Sequence, residues 1–470
     1  MSQSFVMKNI FLFCLVFFAG NFSMAQTGLL ILKSNTEFIS IRDGDVLKKN
    51  EWRVSPLVNP DIYESSFSGR KQKLTFISDI DSISFIIKPG QTVSFIVLLN
   101  GKDSAYTQIK GSRIMEKVNF TRKYIRLHNN KTTVEVPEVY ELFNVILAMT
   151  DYSRNNKWLI KKETDYYQSV ADWFGLYSKE LAVSSMNLML EKNGWLYTKL
   201  KQESYCFEFN KKGKIVQSKI YDRMWGKAND LLPYINQLQE FANKSQFRAF
   251  YSNNKPIYEK QIAFYRDTAN IAGMISWLRK NFPSSDYNCF KVIFSPLVSG
   301  YQSAQGFSNN GFKEAQAHVN FPYLRNKILS ASSDASVLLA AGDIVFTEFN
   351  HSFINPESEK PEYASDVNTI CSNLSHWMED KAKSGYGSSY SCFNEYMNWA
   401  LVSLRYVDYA PKDELSAMLK NNEDYMQKGR GFKKFPEFSR FLVEIYQKRK
   451  PGQVVADLYP QIIGWFKQNQ

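Results

Sequence analysis

Histidine, cysteine and long apolar runs are scarce in this chain. Only 4 of its 470 residues are His and 5 are Cys, so we do not expect a redox-metal centre built from several imidazoles or thiolates. After residues 1–25, no stretch reaches the ~18 apolar residues that a membrane-spanning helix needs. These absences predict a protein that is not an integral membrane protein and that has few candidate metal ligands.

Signatures of several enzyme and binding classes are also missing. No Gly-x-Ser-x-Gly elbow or Gly-rich phosphate loop occurs, and no Cys has a His or Asp partner at a suitable spacing. This argues against serine, cysteine and nucleotide-dependent chemistry. The 58 Lys and Arg exceed the 46 Asp and Glu, for a net charge of +12, but they are interleaved with acids. We therefore predict no nucleic-acid partner, since that would require a basic stripe or a recognisable module.

Residues 1–25 have the composition of a secretory signal peptide. Lys8 precedes an apolar run at 10–19, and Ser23-Met24-Ala25 offers a small-x-small cleavage site. Cys14 lies within the run without small residues before it, so we do not expect a lipid anchor. The pattern predicts an exported protein, periplasmic or extracellular.

The four remaining cysteines leave two alternatives open. Export makes disulfides possible, and four thiols allow three pairings. Two of them are predicted to lie on consecutive helices and could face one another, but buried free thiols are an equally good interpretation. The four residues are Cys206, Cys289, Cys371 and Cys392.

The N-terminal part of the exported chain, residues 26–115, has the alternating pattern of a small β domain. Strands are predicted at 82–88, 93–99 and 104–109. Asn100-Gly101 lies between the last two, and Asn-Gly is a strong hairpin signal. The sequence does not indicate a role for this domain.

From about Pro137 the hydrophobic period becomes helical. We predict a helical first lobe at 116–285, with a short strand pair at 205–209 and 214–221, and a second lobe at 286–470. Together with the β domain, this predicts an α+β protein. Helices are expected near 164–190, 228–243 and 268–281, and later at about 365–382, 390–406, 412–422, 435–449 and 455–468.

The second lobe contains the segment that carries chemistry. A strand is predicted at 290–296, and the alternating residues 314–319 are predicted to form an edge strand that could pair with an extended substrate. A mostly apolar helix follows, with cap residues at Ser332-Ser333-Asp334. Asn355-Pro356 is predicted to end it, because the residue before a proline is disfavoured in helical geometry.

Residues 347–351 of that helix are Thr-Glu-Phe-Asn-His. This is the zinc-protease signature His-Glu-x-x-His with the first His replaced by Thr. In the intact motif two imidazoles on one helix face hold zinc, and the Glu takes a proton from zinc-bound water. An ordinary amphipathic helix is the simpler interpretation, but a Glu and a His on a buried helix need a reason.

The stretch Thr347–Pro356 resembles a family of secreted Bacteroidetes-type proteins catalogued as a domain of unknown function, DUF4932, whose members carry His-Glu-Phe-x-His-Ser-Phe-x-Asn-Pro. The resemblance extends to residues 292–301 upstream and to Gly385-Tyr386-Gly387 with 392–396 downstream, within roughly 130–465. It implies a gluzincin-like (zincin) metallopeptidase body.

The resemblance also implies roles for individual residues. Glu348 matches the general base, His351 a zinc ligand and Glu395, on a later helix, the third ligand. Thr347 stands at the lost ligand position, and a neutral hydroxyl is a poor zinc donor. Zinc would then be weakly held by two ligands, and no other cofactor is expected.

We therefore predict a metallopeptidase-like protein, a pseudoenzyme or nearly so, that acts by binding a peptide or protein. Two alternatives stay open. One is an active zinc peptidase with an altered ligand set, and the other is a non-enzymatic interaction protein that uses the β domain.

Other residues could replace the missing imidazole. His318 on the predicted edge strand and His376 on a later helix could approach the site, whereas His128 lies at the domain junction. Asp343, about one turn before Thr347, could bind a displaced ion. If the fold is peptidase-like, Thr347→His is expected to create a three-ligand site and to raise thermal stability when zinc is present.

Overall fold

The computed structural model describes residues 29–44, 46–67, 69–113, 116–323 and 332–470. The predicted signal peptide lies outside the described residues. The chain divides into two compact units, 1–115 and 116–470. A search of the described residues finds no helix that is both long and apolar enough to cross a membrane.

The first unit is β-rich, as the sequence predicted. Its strands form two four-stranded sheets, in the orders β1-β7-β8-β4 and β3-β2-β5-β6. The predicted turn at Asn100-Gly101 is confirmed: both residues have positive φ, 50° and 69°, and the antiparallel strands β7 and β8 flank them. The strands are β1 Ile31–Ser34, β2 Phe38–Asp43, β3 Val46–Arg53, β4 Asp61–Phe67, β5 Gln72–Ile77, β6 Ser82–Ile87, β7 Thr92–Leu99 and β8 Asp103–Arg113.

The second unit is mostly helical, which confirms the mixed α+β prediction. Its strands are β9 Lys131–Glu135, β10 Phe207–Phe209, β11 Ile215–Gln217, β12 Cys289–Ser295, β13 Ser303–Asn309 and β14 Phe312–Asn320. Its first helices are α1 Arg122–His128, α2 Glu138–Met149, α3 Asp151–Arg154, α4 Asp165–Phe174, α5 Leu181–Lys192, α6 Leu196–Glu203, α7 Ile235–Lys244, α8 Phe247–Asn253, α9 Lys255–Ala263 and α10 Ile271–Asn281. The later ones are α11 Asp334–Ala341, α12 Asp343–Ser358, α13 Pro361–Val367, α14 Leu374–Trp377, α15 Asp380–Lys383, α16 Ser389–Tyr409, α17 Leu415–Asp424, α18 Phe435–Gln447 and α19 Tyr459–Gln468.

The predicted strand pair in the first lobe is confirmed as the antiparallel strands β10 and β11. Their connection is tight because the Asn210 N–H donates to the carbonyl of Lys214 at 2.9 Å. Gly213 in this turn has a φ of 74°, a conformation that glycine adopts without strain.

The sheet of the second unit has the order β13-β14-β12-β9. β12 runs parallel to both β9 and β14, whereas β13 runs antiparallel to β14. The strand predicted at 290–296 is therefore confirmed, but the prediction that 314–319 is an edge strand is wrong. Residues 314–319 belong to β14, which is paired on both sides, and the edge position belongs to β13.

The polar alternation of β14 explains this error. Glu314, Gln316 and His318 are fully buried, although such residues usually mark an exposed strand face. They are hydrogen-bonded to one another: Gln316 donates to Glu314 at 2.7 Å, and the ring nitrogen Nε2 of His318 lies 3.0 Å from the side-chain oxygen of Gln316. The Tyr221 hydroxyl also donates to Glu314, at 2.6 Å.

The helix predicted to begin near Ser332 is two helices. Ser333 caps α11 and accepts a hydrogen bond from the Ser336 N–H, as expected. The chain then breaks at Gly342 before α12 begins. The predicted end at Asn355-Pro356 is wrong, since α12 continues through Pro356 to Ser358. The Ser358 hydroxyl donates to Asn394 of α16 at 2.8 Å, and this tertiary contact holds the last turn.

The motif helix is anchored to the sheet by its apolar side. α12 packs against β13, β14 and α16. Phe349 and Phe353 lie against Phe290 of β12, with ring centroids 5.4 and 6.1 Å apart. Because these two Phe residues share one helix face, Glu348 and His351 point away from β12.

All four described cysteines are buried free thiols. The prediction that Cys371 and Cys392 face one another agrees with a hydrogen bond between their side chains, and burial raises the pKa of the Cys371 thiol. The sequence left disulfides and buried free thiols as alternatives, and in the structure these four cysteines are free thiols.

Candidate functional site

The second unit brings α12 and α16 together at the motif. His351 on α12 and Glu395 on α16 approach so that Nε2 of the imidazole lies 3.9 Å from Oε2 of the carboxylate. Glu348 is buried on the same helix as His351. Sequence reasoning expected this proximity, while the roles of these residues as base and ligands stay predictions.

Glu395 is already paired with a cation. Its side chain is 4% exposed, and its Oε1 accepts hydrogen bonds from Arg430 Nη1 at 2.5 Å and from the Trp399 indole at 3.0 Å. Burial alone would raise the pKa of Glu395, but the Arg430 guanidinium, assisted by His351, outweighs burial and holds this pKa below its ordinary value. Glu395 is therefore ionised at neutral pH.

Arg430 is held in place by aromatic residues. Its guanidinium lies over the rings of Tyr386, Trp399 and Phe432, at 5.4, 5.2 and 5.5 Å from their centroids, and it donates to the Tyr386 hydroxyl. Arg430 ends a π-helical turn at 425–430, an uncommon geometry that is frequent at functional sites. The turn directs the side chain towards α16.

The Thr347 hydroxyl is bonded within its own helix. The residue is 2% exposed, and its hydroxyl donates to the carbonyl of Ile344 on its own helix at 2.8 Å. Nε2 of His351 lies 3.1 Å from the side-chain amide nitrogen of Asn398. The face of α12 that would hold a metal is therefore engaged in hydrogen bonds to other protein groups.

These contacts do not fit catalytic zinc, which takes three protein ligands and one open position. His351 and Glu395 supply two donors, and the positive charge of Arg430 is adjacent to one of them. Within 29–44, 46–67, 69–113, 116–323 and 332–470, no group of three or more His, Cys, Asp or Glu could hold a metal ion.

Most of the second unit matches a model of one protein family. That model, described as "Domain of unknown function (DUF4932)", matches residues 132–465. The chain belongs to the DUF4932 family. No curated protein and no solved structure matches it. The matched range contains α12, α16 and the π-helical turn, so the whole candidate site belongs to the DUF4932 domain.

The other three histidines of the second unit are engaged in contacts away from His351. Nε2 of His376 lies 2.7 Å from the carbonyl oxygen of Asn469, and the His128 ring stacks on the Tyr124 ring with centroids 4.1 Å apart. His318 is bonded to Gln316 within the buried face of the sheet. None of these contacts brings a second imidazole to His351.

Asp343 is also bonded to other side chains. Arg405 lies 3.3 Å from one of its oxygens, and the Tyr406 hydroxyl donates to the other. Burial raises the pKa of Asp343 to about 7, although Arg405 and Tyr406 oppose the rise. Binding of a displaced ion by Asp343 stays a prediction, which the bonds to Arg405 and Tyr406 do not favour.

Two groups that titrate near neutrality lie beside the site. Burial raises the pKa of Glu348 to about 8, with a further rise from Glu395 and opposition from Arg430 and Lys201. Burial lowers the pKa of Lys201 to about 7, and Glu348 opposes this change. At pH 7 the raised pKa favours the protonated form of Glu348, and a pKa this close to the operating pH allows the group to exchange a proton.

Lys201 lies between Glu348 and the segment that leads into the edge strand β13. Its ammonium group donates to the carbonyl of Tyr301 at 2.9 Å, just before β13, and the 55% exposed Trp195 contacts the Tyr301 ring at 5.9 Å. Gly300 is required here, since a Cβ would lie 2.8 Å from the carbonyl oxygen of Trp158. Residues 300–301 thus position the start of β13.

Two surface depressions among the described residues, of about 620 and 190 Å³, lie away from the site, since neither is lined by a motif residue. The first is bounded by Asp151, Tyr152, Asn155, Asn156, Lys157, Trp158 and Glu191. The chemistry of α12 and α16 is therefore a stronger guide to function than cavity size.

Sequence reasoning missed Arg430, Asn398 and Lys201. Asn398 had a signal, because it lies three residues after Glu395 and shares its helix face. Arg430 lies between two glycines, and Lys201 is one of two lysines in a polar helix. Neither has a local pattern that would distinguish it from a surface charge.

Proposed function

We propose that this DUF4932 protein is an exported relative of zinc metallopeptidases that does not hold catalytic zinc and acts by binding a peptide or protein segment. One observation carries the proposal. Glu395, at the third-ligand position, is neutralised by Arg430 at 2.5 Å, while the Thr347 hydroxyl at the first-ligand position is bonded to its own helix.

The relation to metallopeptidases has support from the arrangement of the elements. The degenerate motif lies on a buried helix, a Glu from a later helix approaches its His to 3.9 Å, and an antiparallel edge strand packs beside the motif helix. Each feature alone is common. Their combination is what a peptidase site needs, namely a ligand helix, a second ligand helix and a strand for substrate.

Binding is proposed at the edge strand β13. One side of β13 pairs with β14, and among the described residues no strand pairs with the other side. Free N–H and C=O groups on such an edge accept an extended peptide as an additional strand. Most residues of β13 are half-buried, so side-chain contacts can add to the main-chain bonds.

The first expected result concerns zinc. After incubation with zinc chloride and desalting, the wild-type protein should retain well below one zinc per chain by elemental analysis, because only His351 and Glu395 remain and Arg430 repels the ion. His351→Ala is the matched control and should retain the same amount. Stoichiometric zinc that a chelator removes, and that His351→Ala lacks, would contradict the proposal.

The second expected result concerns peptide binding. A peptide selected from an extended-peptide library should slow amide hydrogen exchange at 303–309 roughly tenfold or more, because added strand bonds protect the amides. Amides of β7 in the first unit serve as an internal control and should not change. Protection confined to the first unit would instead favour an interaction protein that uses its β domain.

An active peptidase with an altered ligand set is the second candidate, and Glu348 and Lys201 favour it because both titrate near neutrality. Glu348→Gln decides between the two. If Glu348 were a general base, the change should lower hydrolysis by ~10²–10⁴-fold. We expect no detectable zinc-dependent hydrolysis of a peptide library by either protein.

A further inference from the structure

We propose that the Arg430 guanidinium has taken over the charge of the metal ion, so that zinc binding returns only when Arg430 is removed together with Thr347→His. This inference rests on the proposed function, because it assumes that α12 and α16 descend from a zinc site. It revises the expectation that Thr347→His alone would be sufficient.

The first step is the charge that Glu395 requires. Its carboxylate is almost completely buried, and a buried carboxylate needs a cation and hydrogen-bond donors. In a zinc site the metal supplies that charge. Here Arg430 supplies it at Oε1, where the Trp399 indole also donates. Oε2 has weaker contacts, with Asn398 at 3.5 Å and His351 at 3.9 Å.

The second step is that Arg430 is fixed and cannot easily move aside. Three aromatic rings surround its guanidinium, Nη2 donates to the Tyr386 hydroxyl, and Nη1 also contacts the Met426 sulfur at 3.5 Å. A divalent ion on Glu395 would lie close to this positive charge in a buried setting, where screening is weak. The native arrangement therefore selects against a metal even when a third ligand is added.

The third step connects the two substitutions. Loss of an imidazole at position 347 weakens zinc binding and leaves Glu395 without a strong partner, and a guanidinium at position 430 restores the charge balance without a metal. Restoring His at position 347 does not restore zinc binding while Arg430 is present, and removing Arg430 does not restore it while position 347 is Thr. The site has thereby become a permanent ion pair that stabilises the contact between α16 and the π-helical turn.

Zinc chloride alone is the probe. We compare the wild type, Thr347→His, Arg430→Gln and Thr347→His/Arg430→Gln by elemental analysis and by competition with a zinc-sensitive dye. Gln can still donate a hydrogen bond to Glu395 but has no charge. The double variant should retain about one zinc per chain, bind it at least roughly tenfold more tightly than Thr347→His, and gain thermal stability with zinc.

The matched control is Thr347→His/Arg430→Lys, which keeps the positive charge and should bind zinc as weakly as Thr347→His. Equal affinity of Thr347→His and the Gln double variant would overturn the role of Arg430. Stoichiometric zinc in the wild type would instead overturn the proposed function. All proteins are also refolded from urea with and without zinc. A Gln double variant that folds only with zinc supports the proposal, and one that folds in neither condition counts against it.

Discussion

Arg430→Met is expected to lower the free energy of unfolding by about 3–5 kcal/mol at pH 7, because it leaves Glu395 as a buried charge without a partner. Met fills part of the space among Tyr386, Trp399 and Phe432, so the loss reports charge more than packing. Urea unfolding followed by far-UV circular dichroism measures it. The pKa of Glu395 is depressed in the folded wild type, so its contribution is present above its unfolded pKa and is lost as pH falls. The deficit of the variant should therefore shrink towards acid pH.

A double-mutant cycle separates the ion pair from other effects of Arg430. Glu395→Gln removes the charge while keeping shape, and Arg430→Met/Glu395→Gln should be more stable than Arg430→Met alone, since no unpaired charge remains. If Arg430→Met costs less than about 1 kcal/mol, the pair behaves as a solvated surface salt bridge. The account of Arg430 as the cation of this site would then be wrong.

Local patterns were sufficient for much of the fold. The alternating strands and the Asn100-Gly101 turn predicted β7 and β8, and the strand pair predicted at 205–209 and 214–221 is β10 and β11. These features depend on residues that are near one another in the sequence, where turn chemistry and hydrophobic period act directly. The division into a β-rich region and a helical body follows from the same signals.

The errors arose where distant residues decide the structure. Glu314, Gln316 and His318 suggested an exposed strand, but they lie inside the protein, hydrogen-bonded to one another and, at Glu314, to two tyrosines. Pro356 suggested a helix end, but Asn394 on α16 holds the next turn through Ser358. A sequence pattern cannot show which polar groups will meet, because that depends on how the elements pack.

The candidate site could likewise be predicted from the sequence only in part. Its motif gave Glu348 and His351, and family resemblance gave Glu395, whose approach to His351 the structure reproduces. Arg430 is the last residue of a π-helical turn that has no sequence signature, and Lys201 reaches the site from an earlier helix. In the sequence both are ordinary basic residues. The fold places them beside buried carboxyl groups, where Arg430 lowers the pKa of Glu395 and Lys201 opposes the raised pKa of Glu348.

Arg405→Met should reduce stability by about 3 kcal/mol at pH 8 and by less at pH 5. Arg405 pairs with Asp343 at 3.3 Å, donates to the carbonyl of Leu339 at 3.0 Å and lies over the Phe346 ring at 5.3 Å. Burial raises the pKa of Asp343 to about 7 from its model-compound value of 3.8. Such a group stabilises the fold below its unfolded pKa, and this contribution is lost as pH rises through the folded pKa.

Without Arg405 the folded pKa of Asp343 rises above about 7, so the deficit of the variant grows above about pH 7, where the wild-type carboxyl ionises and that of the variant stays protonated. Unfolding in urea at both pH values measures this difference. Tyr406→Phe is the matched control, and loss of its single hydrogen bond should cost about 1–2 kcal/mol. A deficit of Arg405→Met that does not change with pH would mean that Asp343 is not the group Arg405 stabilises.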